Sequence, residues 1–414
     1  DLHLLNNINL WIELETTVKN KHVDWCDIVV LCRNAEPANA KWLPRLMLQK
    51  KPFIYDIDDN LFDIEGDAIL TEYYKSPERI QMLTEYIKLA SCVRVYSVPM
   101  QEKASQINSN TQKMLAPVDF RYILPPGKRK NADIQIVYAT SRFNDQLSEI
   151  FVPALQQILA EYKENISVHF LGFTPKALNK HPLVISTPIR WNYTKYLQAF
   201  SSAGYDIGLA PLKNNVFHRS KTNNKFREYG ASQIAGIYSD VDVYSSCIQN
   251  GQTGLLVQNT TGDWYTAIKT LIDFPEQREK IKKTAYEFVK TNYSQEEFAR
   301  KWATQIKHTL SLGPNYEHPE IFYSEKPKEL FIHPLLSILT DKTRKAISVL
   351  QHKGIINLTN WFFRGLQHHY YNYFLLIKQK IIILQHNCFR TTNYSILSLQ
   401  LGSIITKIKR RFNK

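Results

Sequence analysis

The stretch DIGLAPLKNNVFHRSKTNNKFREYGASQIAGIYSDVDVYSSCIQNGQTGLLV, Asp206–Val257, decides the fold. It opens on a short apolar run, Asp206–Pro211, which reads as a buried strand closed by a proline. A polar, basic loop follows, and then a segment of helical period, Lys225–Ser232. Two further short apolar runs, Ala235–Asp240 and Gly254–Val257, read as strands. Strand, helix and strand in this alternation predict a parallel sheet with helices packed on it.

The same alternation extends in both directions. Upstream of this stretch, Ile134–Thr140 and Ile166–Gly172 read as strands, with helices at Phe151–Tyr162 and Thr194–Ser201. Downstream lie helices near Trp264–Phe274, Gln277–Thr291 and Gln295–Leu312. The first third of the chain carries a second series: strands at Asp27–Arg33, Pro52–Asp58, Ser91–Ser97 and Lys113–Pro117, with helices near Ala40–Lys50 and Pro77–Ala90. The segment Leu124–Asp133, LPPGKRKNAD, is rich in Pro, Gly and charge and reads as a linker. Asn6–Asn20 looks helical, where a complete Rossmann-like half opens with a strand and a Gly-rich turn. The first half is therefore expected to be short. The chain begins at Asp1 without a methionine, so a piece before it stays open.

These elements predict an α/β chain of two Rossmann-like domains facing a cleft. Residues 1–125 form the first, residues 130–315 the second, and residues 316–414 a basic, amphipathic helical tail. In open parallel sheets ligands sit beyond the carboxyl ends of the strands, and here both domains present those ends to the shared cleft.

The segment Asp206–Val257 resembles the donor half of GT-B glycosyltransferases of the family 4, or group 1, type. The shared features are a strand ending in Pro211, the basic loop with Lys221, and the run Lys225-Phe226-Arg227-Glu228-Tyr229. A short strand at Ile237–Ser239 and the loop Asn250-Gly251-Gln252-Thr253-Gly254-Leu255-Leu256-Val257 complete them. The resemblance covers about Ile134 to Leu312 and extends more loosely through the first domain.

It implies a nucleotide-sugar donor as substrate, with no other cofactor, and retention of anomeric configuration. Glu228 is then the carboxylate that reads the two ribose hydroxyls. Lys221, and after it Arg142 in YATSRFND, would neutralise the diphosphate leaving group, so that no metal is needed. The helix start at Thr222–Lys225 adds backbone N–H groups, with Lys225 among them. Gly251 and Gly254 would let the backbone turn closely against the donor, or serve as turn residues only. One position departs from the pattern. The family often carries a first Glu eight residues before the ribose Glu, and here that position is Ser220.

In the first domain, KPFIYDIDDNLFDI (Lys51–Ile64) puts Asp56, Asp58 and Asp59 at a strand end. Asp58 and Asp59 are candidates to bind acceptor hydroxyls or act as a base. The same carboxylates can serve as a metal site or as a solvated turn.

Charge is distributed unevenly. Thirteen Lys and Arg stand against Asp341 alone from Phe331 to Lys414, so this tail carries +12 of the formal +14. A nearly neutral body argues against a nucleic-acid-binding core, and the tail points to an anionic partner. Leu397, Leu401, Ile404, Ile405, Ile408 and Phe412 share one helical face, and Lys407, Lys409, Arg410, Arg411 and Lys414 crowd the end. Such a helix suits an anionic membrane surface or packing on the body. Lys378 and Lys380 interrupt the longest apolar stretch, which excludes a spanning helix there.

Five scattered cysteines (Cys26, Cys32, Cys92, Cys247, Cys388) suggest a reducing cytoplasm, with peripheral attachment at the inner face of the membrane. The expected acceptor is a cell-envelope, polysaccharide or lipid-linked glycan. No strand is followed by G-x-G-x-x-G opening a helix, which argues against a Rossmann oxidoreductase. The remaining alternatives are a degenerate glycosyltransferase-like binding protein without turnover and a nucleic-acid binder working through the tail.

Overall fold

The computed structural model describes residues 8–316 apart from 67, 128–132, 142–144 and 189–191. The expected tail helix, Arg142 and the five-residue core of the linker therefore lie outside the described residues.

In chain order the first lobe contains α1 (Asn20–Trp25), β1 (Val29–Cys32), a 3-10 turn (Pro37–Trp42), α2 (Leu43–Leu48), β2 (Phe53–Ile57), α3 (Ala68–Tyr74), α4 (Pro77–Leu89), β3 (Cys92–Val95), α5 (Val98–Ser105) and β4 (Thr111–Lys113). Its four strands lie in the order β1-β2-β3-β4, all parallel. All five residues of β2 are buried, because both faces of the sheet are covered. On one face Phe53, Tyr55, Ile57, Val93 and Val95 pack against Leu43, Leu46, Leu83, Tyr86 and Met100 from the crossover helices. On the other, Ile54 and Cys92 meet Ile306 and Trp302, which come from the far end of the described chain.

The second lobe contains β5 (Ile134–Ala139), α6 (Val152–Tyr162), β6 (Ile166–Leu171), β7 (Val184–Thr187), α7 (Tyr193–Ser202), β8 (Ile207–Ala210), α8 (Val216–Arg219), α9 (Asn224–Ala231), β9 (Ala235–Ser239), α10 (Asp242–Ser245), β10 (Leu255–Val257), α11 (Thr261–Asp273), α12 (Pro275–Asn292) and α13 (Gln295–Leu312). Its six parallel strands run β10-β9-β8-β5-β6-β7. Strand residues alternate between two cores, as the two-residue period requires. Ile136, Val168, Ile207 and Ile237 pack under α6 and α11, while Val137, Ala139, Ala210 and Tyr238 pack under α7 and α9.

The chain passes between the lobes twice, side by side. The Val118 N–H donates to the Tyr293 carbonyl at 2.9 Å, and Val118 bridges Ser294. After the second passage α13, capped by the Ser294 hydroxyl, lies on the first sheet.

Three readings of local structure need correction. Residues 8–19 of the expected Asn6–Asn20 helix form extended chain and a turn, and a short helix begins only at Asn20. The expected strand at Lys113–Pro117 lies earlier, at Thr111–Lys113, where Val93, Arg94 and Val95 of β3 align it in register. The edge strand β7 and the short helices α3, α5, α8 and α10 had no counterpart in the sequence reading.

Candidate functional site

The strand order of the second sheet reverses at β5: β6 lies on one side of it and β8 on the other. At such a switch point the loops leaving the two strands diverge to opposite faces and open a crevice. The loop after β5 begins at Thr140 and continues into residues 142–144, outside the described residues; the loop after β8 is residues 211–223. The first sheet has no reversal among its described strands; Asp59, Asn60 and Ser97, beyond the carboxyl ends of its strands, face the loop after β8.

The loop after β8 reaches across to the first lobe. Phe217, on α8, is buried in the first lobe's hydrophobic core. The Asn215 amide donates to Glu65 at 3.0 Å. The Ser97 hydroxyl donates to the Ser220 carbonyl at 2.9 Å, and the Asn60 amide to the Ser220 hydroxyl at 3.3 Å. Ser220 Oγ in turn donates to the Val216 carbonyl at 2.7 Å, and the residue is buried. Next to it, Lys221 Nζ lies 3.1 Å from Asp59 Oδ1 and 4.1 Å from the Phe217 ring centroid.

Behind the crevice, α9 presents Glu228, which is 5% exposed. Its Oε2 accepts from Lys225 Nζ at 2.7 Å and from the Tyr196 hydroxyl at 3.2 Å. Burial, reinforced by the Glu228 charge, pushes the Tyr196 hydroxyl above its ordinary pKa, so it remains a donor. Arg227, the residue before Glu228 on α9, is buried. It donates to the Pro117 carbonyl at 2.6 Å and to Asn223 at 3.1 Å, tying α9 to the crossing chain. Burial depresses its pKa.

The first-lobe carboxylates do not converge on a common point; each has its own cation. Asp56 lies 3.6 Å from Arg94 Nε, Asp58 lies 3.1 Å from Arg33 Nε, and Asp59 pairs with Lys221. Burial raises the pKa of Asp56 and Asp58, opposed by Arg94 and Arg33 respectively. Arg33 sits at the end of β1 with φ +54°, in the left-handed region, and half of its side chain is exposed. A non-glycine residue in that region is uncommon and stores strain of the kind found at functional sites. Among the described residues no group of three or more His, Cys, Asp or Glu side chains is arranged to hold a metal. No described helix is long and apolar enough to cross a membrane.

The structure thus brings Lys221, Ser220, Asp58 and Asp59 to the lobe interface, and Lys225 and Glu228 together on α9. Gly251 and Gly254 lie elsewhere. Leu255 aligns with Ile237, so the 250–254 loop sits at the amino end of β10, whereas the crevice opens at the carboxyl ends. Gly251 is a left-handed turn residue (φ +77°), and a Cβ on Gly254 would lie 2.7 Å from the Tyr238 ring. Both glycines therefore answer to turn and packing needs, which corrects their assignment to the donor. Arg142 lies outside the described residues. Arg33, Asn60, Ser97, Tyr196 and Phe217 escaped the sequence reading. Arg33, Ser97 and Tyr196 come from segments distant in sequence, whereas Asn60 and Phe217 lie beside Asp59 and Lys221 and show their part only in the contacts they make across the lobes.

No protein-family model matches this sequence, and no curated protein matches it. Solved structures do resemble it in fold. Sucrose-phosphate synthase from Thermosynechococcus elongatus superposes with TM-score 0.50 at 16% identity, over 69% of this chain and 74% of that one. HepE from Anabaena, in complex with UDP and glucose, gives TM-score 0.50 at 12% identity over 70% and 79%. A variant of S. aureus TarM, in complex with Fondaparinux, alpha-GlcNAc-glycerol and UDP, gives TM-score 0.50 at 13% identity; there this chain is covered over 68%, and spans 55% of TarM. With its two parallel-sheet lobes and shared crevice, the chain has the GT-B fold.

Proposed function

We propose that the chain is a glycosyltransferase, taking a hexose-type sugar from a nucleoside-diphosphate sugar to a hydroxyl of a cell-envelope, polysaccharide or lipid-linked glycan. The observation that carries this reading is that a cation, Lys221, and a buried carboxylate, Glu228, both lie on the segment that follows β8, the strand at the switch point of a GT-B fold. Fold neighbours that hold UDP support it. In this reading Glu228 accepts from the ribose hydroxyls, and Lys221 with the start of α9 takes the diphosphate charge. The bond from the acceptor oxygen to the anomeric carbon forms as the carbon–oxygen bond to the β-phosphate breaks. The electron pair leaves with the nucleoside diphosphate, which also takes the acceptor's proton. Retention of configuration and independence from metal belong to the same proposal.

The test is binding of UDP, GDP, ADP and CMP by thermal shift, with and without EDTA. A ligand at a hundred times its dissociation constant adds about 2.7 kcal/mol of stability. The reading expects one nucleoside diphosphate to stabilise the protein equally in EDTA. It also expects Glu228→Ala to weaken that ligand about 10- to 100-fold, the loss of hydrogen bonds to a charged group. Wild-type affinity in Glu228→Ala overturns the ribose assignment.

Ser220 favours a second reading, a binding protein without turnover. Its hydroxyl is engaged by Asn60 and Val216, where the resembled family often has a carboxylate. Consumption of a bound nucleotide-sugar separates the two readings.

A further inference from the structure

Three aspartates stand at the carboxyl edge of the first sheet, each beside a cation. The partners of Asp56 and Asp58 come from the same lobe, while that of Asp59 is Lys221, from the opposite lobe. This pair is not a loose surface contact. Its side chains are 17% and 28% exposed. The segment that carries Lys221 is held by Phe217 in the first-lobe core and by Ser97 and Asn60 on Ser220. Asp59 directly precedes Asn60, so both ends of the ion pair are anchored one residue away. Lys221 also stands three residues before Asn224, where α9 begins.

We propose that Asp59 is the resident anion of the Lys221 site. It neutralises the ammonium while the crevice is empty, and a donor diphosphate competes with it for that charge. This rests on the reading of the crevice as a nucleotide-sugar site. The physical argument is one of competition. An ammonium already paired across the lobes gives up that pairing when a phosphate takes it, and a carboxylate that has lost its ion-pair partner then faces the phosphate oxygens. Asp59 therefore sets how tightly the crevice holds phosphate without touching base or ribose. Removing its charge strengthens binding of phosphate-bearing ligands alone, an effect opposite to that expected of a residue that merely supports the fold.

The experiment is calorimetric titration of the full chain with UDP and with uridine as the phosphate-free control; GDP and ADP with their nucleosides are used if wild type takes one of those instead. Asp59→Asn is expected to bind the diphosphate roughly fivefold tighter, the worth of a part-exposed ion pair, with nucleoside affinity unchanged. Lys221→Met weakens the diphosphate and shrinks the gain from Asp59→Asn. Asp59→Glu keeps the charge and stays near wild type, which separates charge from packing. Unchanged or weaker diphosphate binding in Asp59→Asn overturns the proposal while leaving the donor site standing. Absence of binding by all three nucleotides to wild type overturns the donor reading and the proposal together.

Discussion

Glu228 occupies the fifth position of an eight-residue helix, yet its carboxyl group gathers Lys225 from its own helix and Tyr196 from α7. Lys225 three residues earlier is a pairing that helical spacing makes readable. Tyr196 is not readable in this way, because it lies on a helix some thirty residues upstream and reaches the carboxylate only through packing. Tyr196→Phe removes one donor and leaves the ring stacked on Phe200. It should cost about 1 kcal/mol in urea denaturation and weaken nucleoside and diphosphate alike, since it acts through the ribose carboxylate. Wild-type affinity for both ligands in the variant would deny Tyr196 that positioning role. His169 offers a test by pH. Burial depresses its pKa below the ordinary 6.5, against the opposing pull of Asp133. Between the depressed folded value and 6.5 the unfolded chain binds more protons, so stability rises with pH there. Chemical denaturation should therefore show its contribution intact above 6.5 and lost progressively as the pH falls below it. His169→Gln should flatten that part of the profile.

At the scale of elements, α9 is positioned by a missing side chain. Gly208 in β8 leaves room for the Tyr229 ring, whose hydroxyl donates to the Leu209 carbonyl; a Cβ there would lie 2.5 Å from Tyr229 Cε2. Tyr229 is buried and adjacent to Glu228, so it has little room to yield. Gly208→Ala should cost about 1–3 kcal/mol by overpacking, with a measurable drop in nucleotide affinity as the helix shifts. Full affinity in a destabilised Gly208→Ala would mean that the placement of α9 does not matter to the ligand. The central strands β2, β8 and β9 were legible because burial on both faces makes them short apolar runs. β7 was not, because it is a half-exposed edge strand, and α8 and α10 are four residues long, too short to show a helical period. The run Lys113–Pro117 misled for the converse reason. β4 is held by backbone pairing to β3 through polar Thr111-Gln112-Lys113, and the apolar residues that drew attention follow it.

For the whole molecule, the first lobe is incomplete without α13, at the far end of the described residues. Two lobes and a cleft could be read from the order of strands and helices, but the contacts that join them, such as Ser97–Ser220 and Asp59–Lys221, span 123 and 162 residues and leave no local pattern. Arg94, buried in β3, has its guanidinium 4.1 Å from the Trp302 ring centroid and 4.9 Å from that of Phe298, both on α13. Gln305 donates to the Cys92 sulfur at 3.0 Å, and Ile306 covers Ile54. Without α13 this face would expose Ile54 and Cys92 to water and leave Arg94 with Asp56 and Tyr96 alone. Phe217 adds a second tie, from the middle of the chain. The lobes should therefore melt together: calorimetry of the intact protein should give one transition. Phe217→Ala removes a buried aromatic at about 3–5 kcal/mol, and that loss falls on the first lobe. The variant should melt in two steps, the first lobe at the lower temperature. A chain ending before Ser294 should leave the first lobe open to protease while the second, whose cores need no residue of α13, stays resistant. If that shortened chain keeps a single transition at the wild-type temperature, α13 is an accessory to the first sheet rather than one of its covering layers.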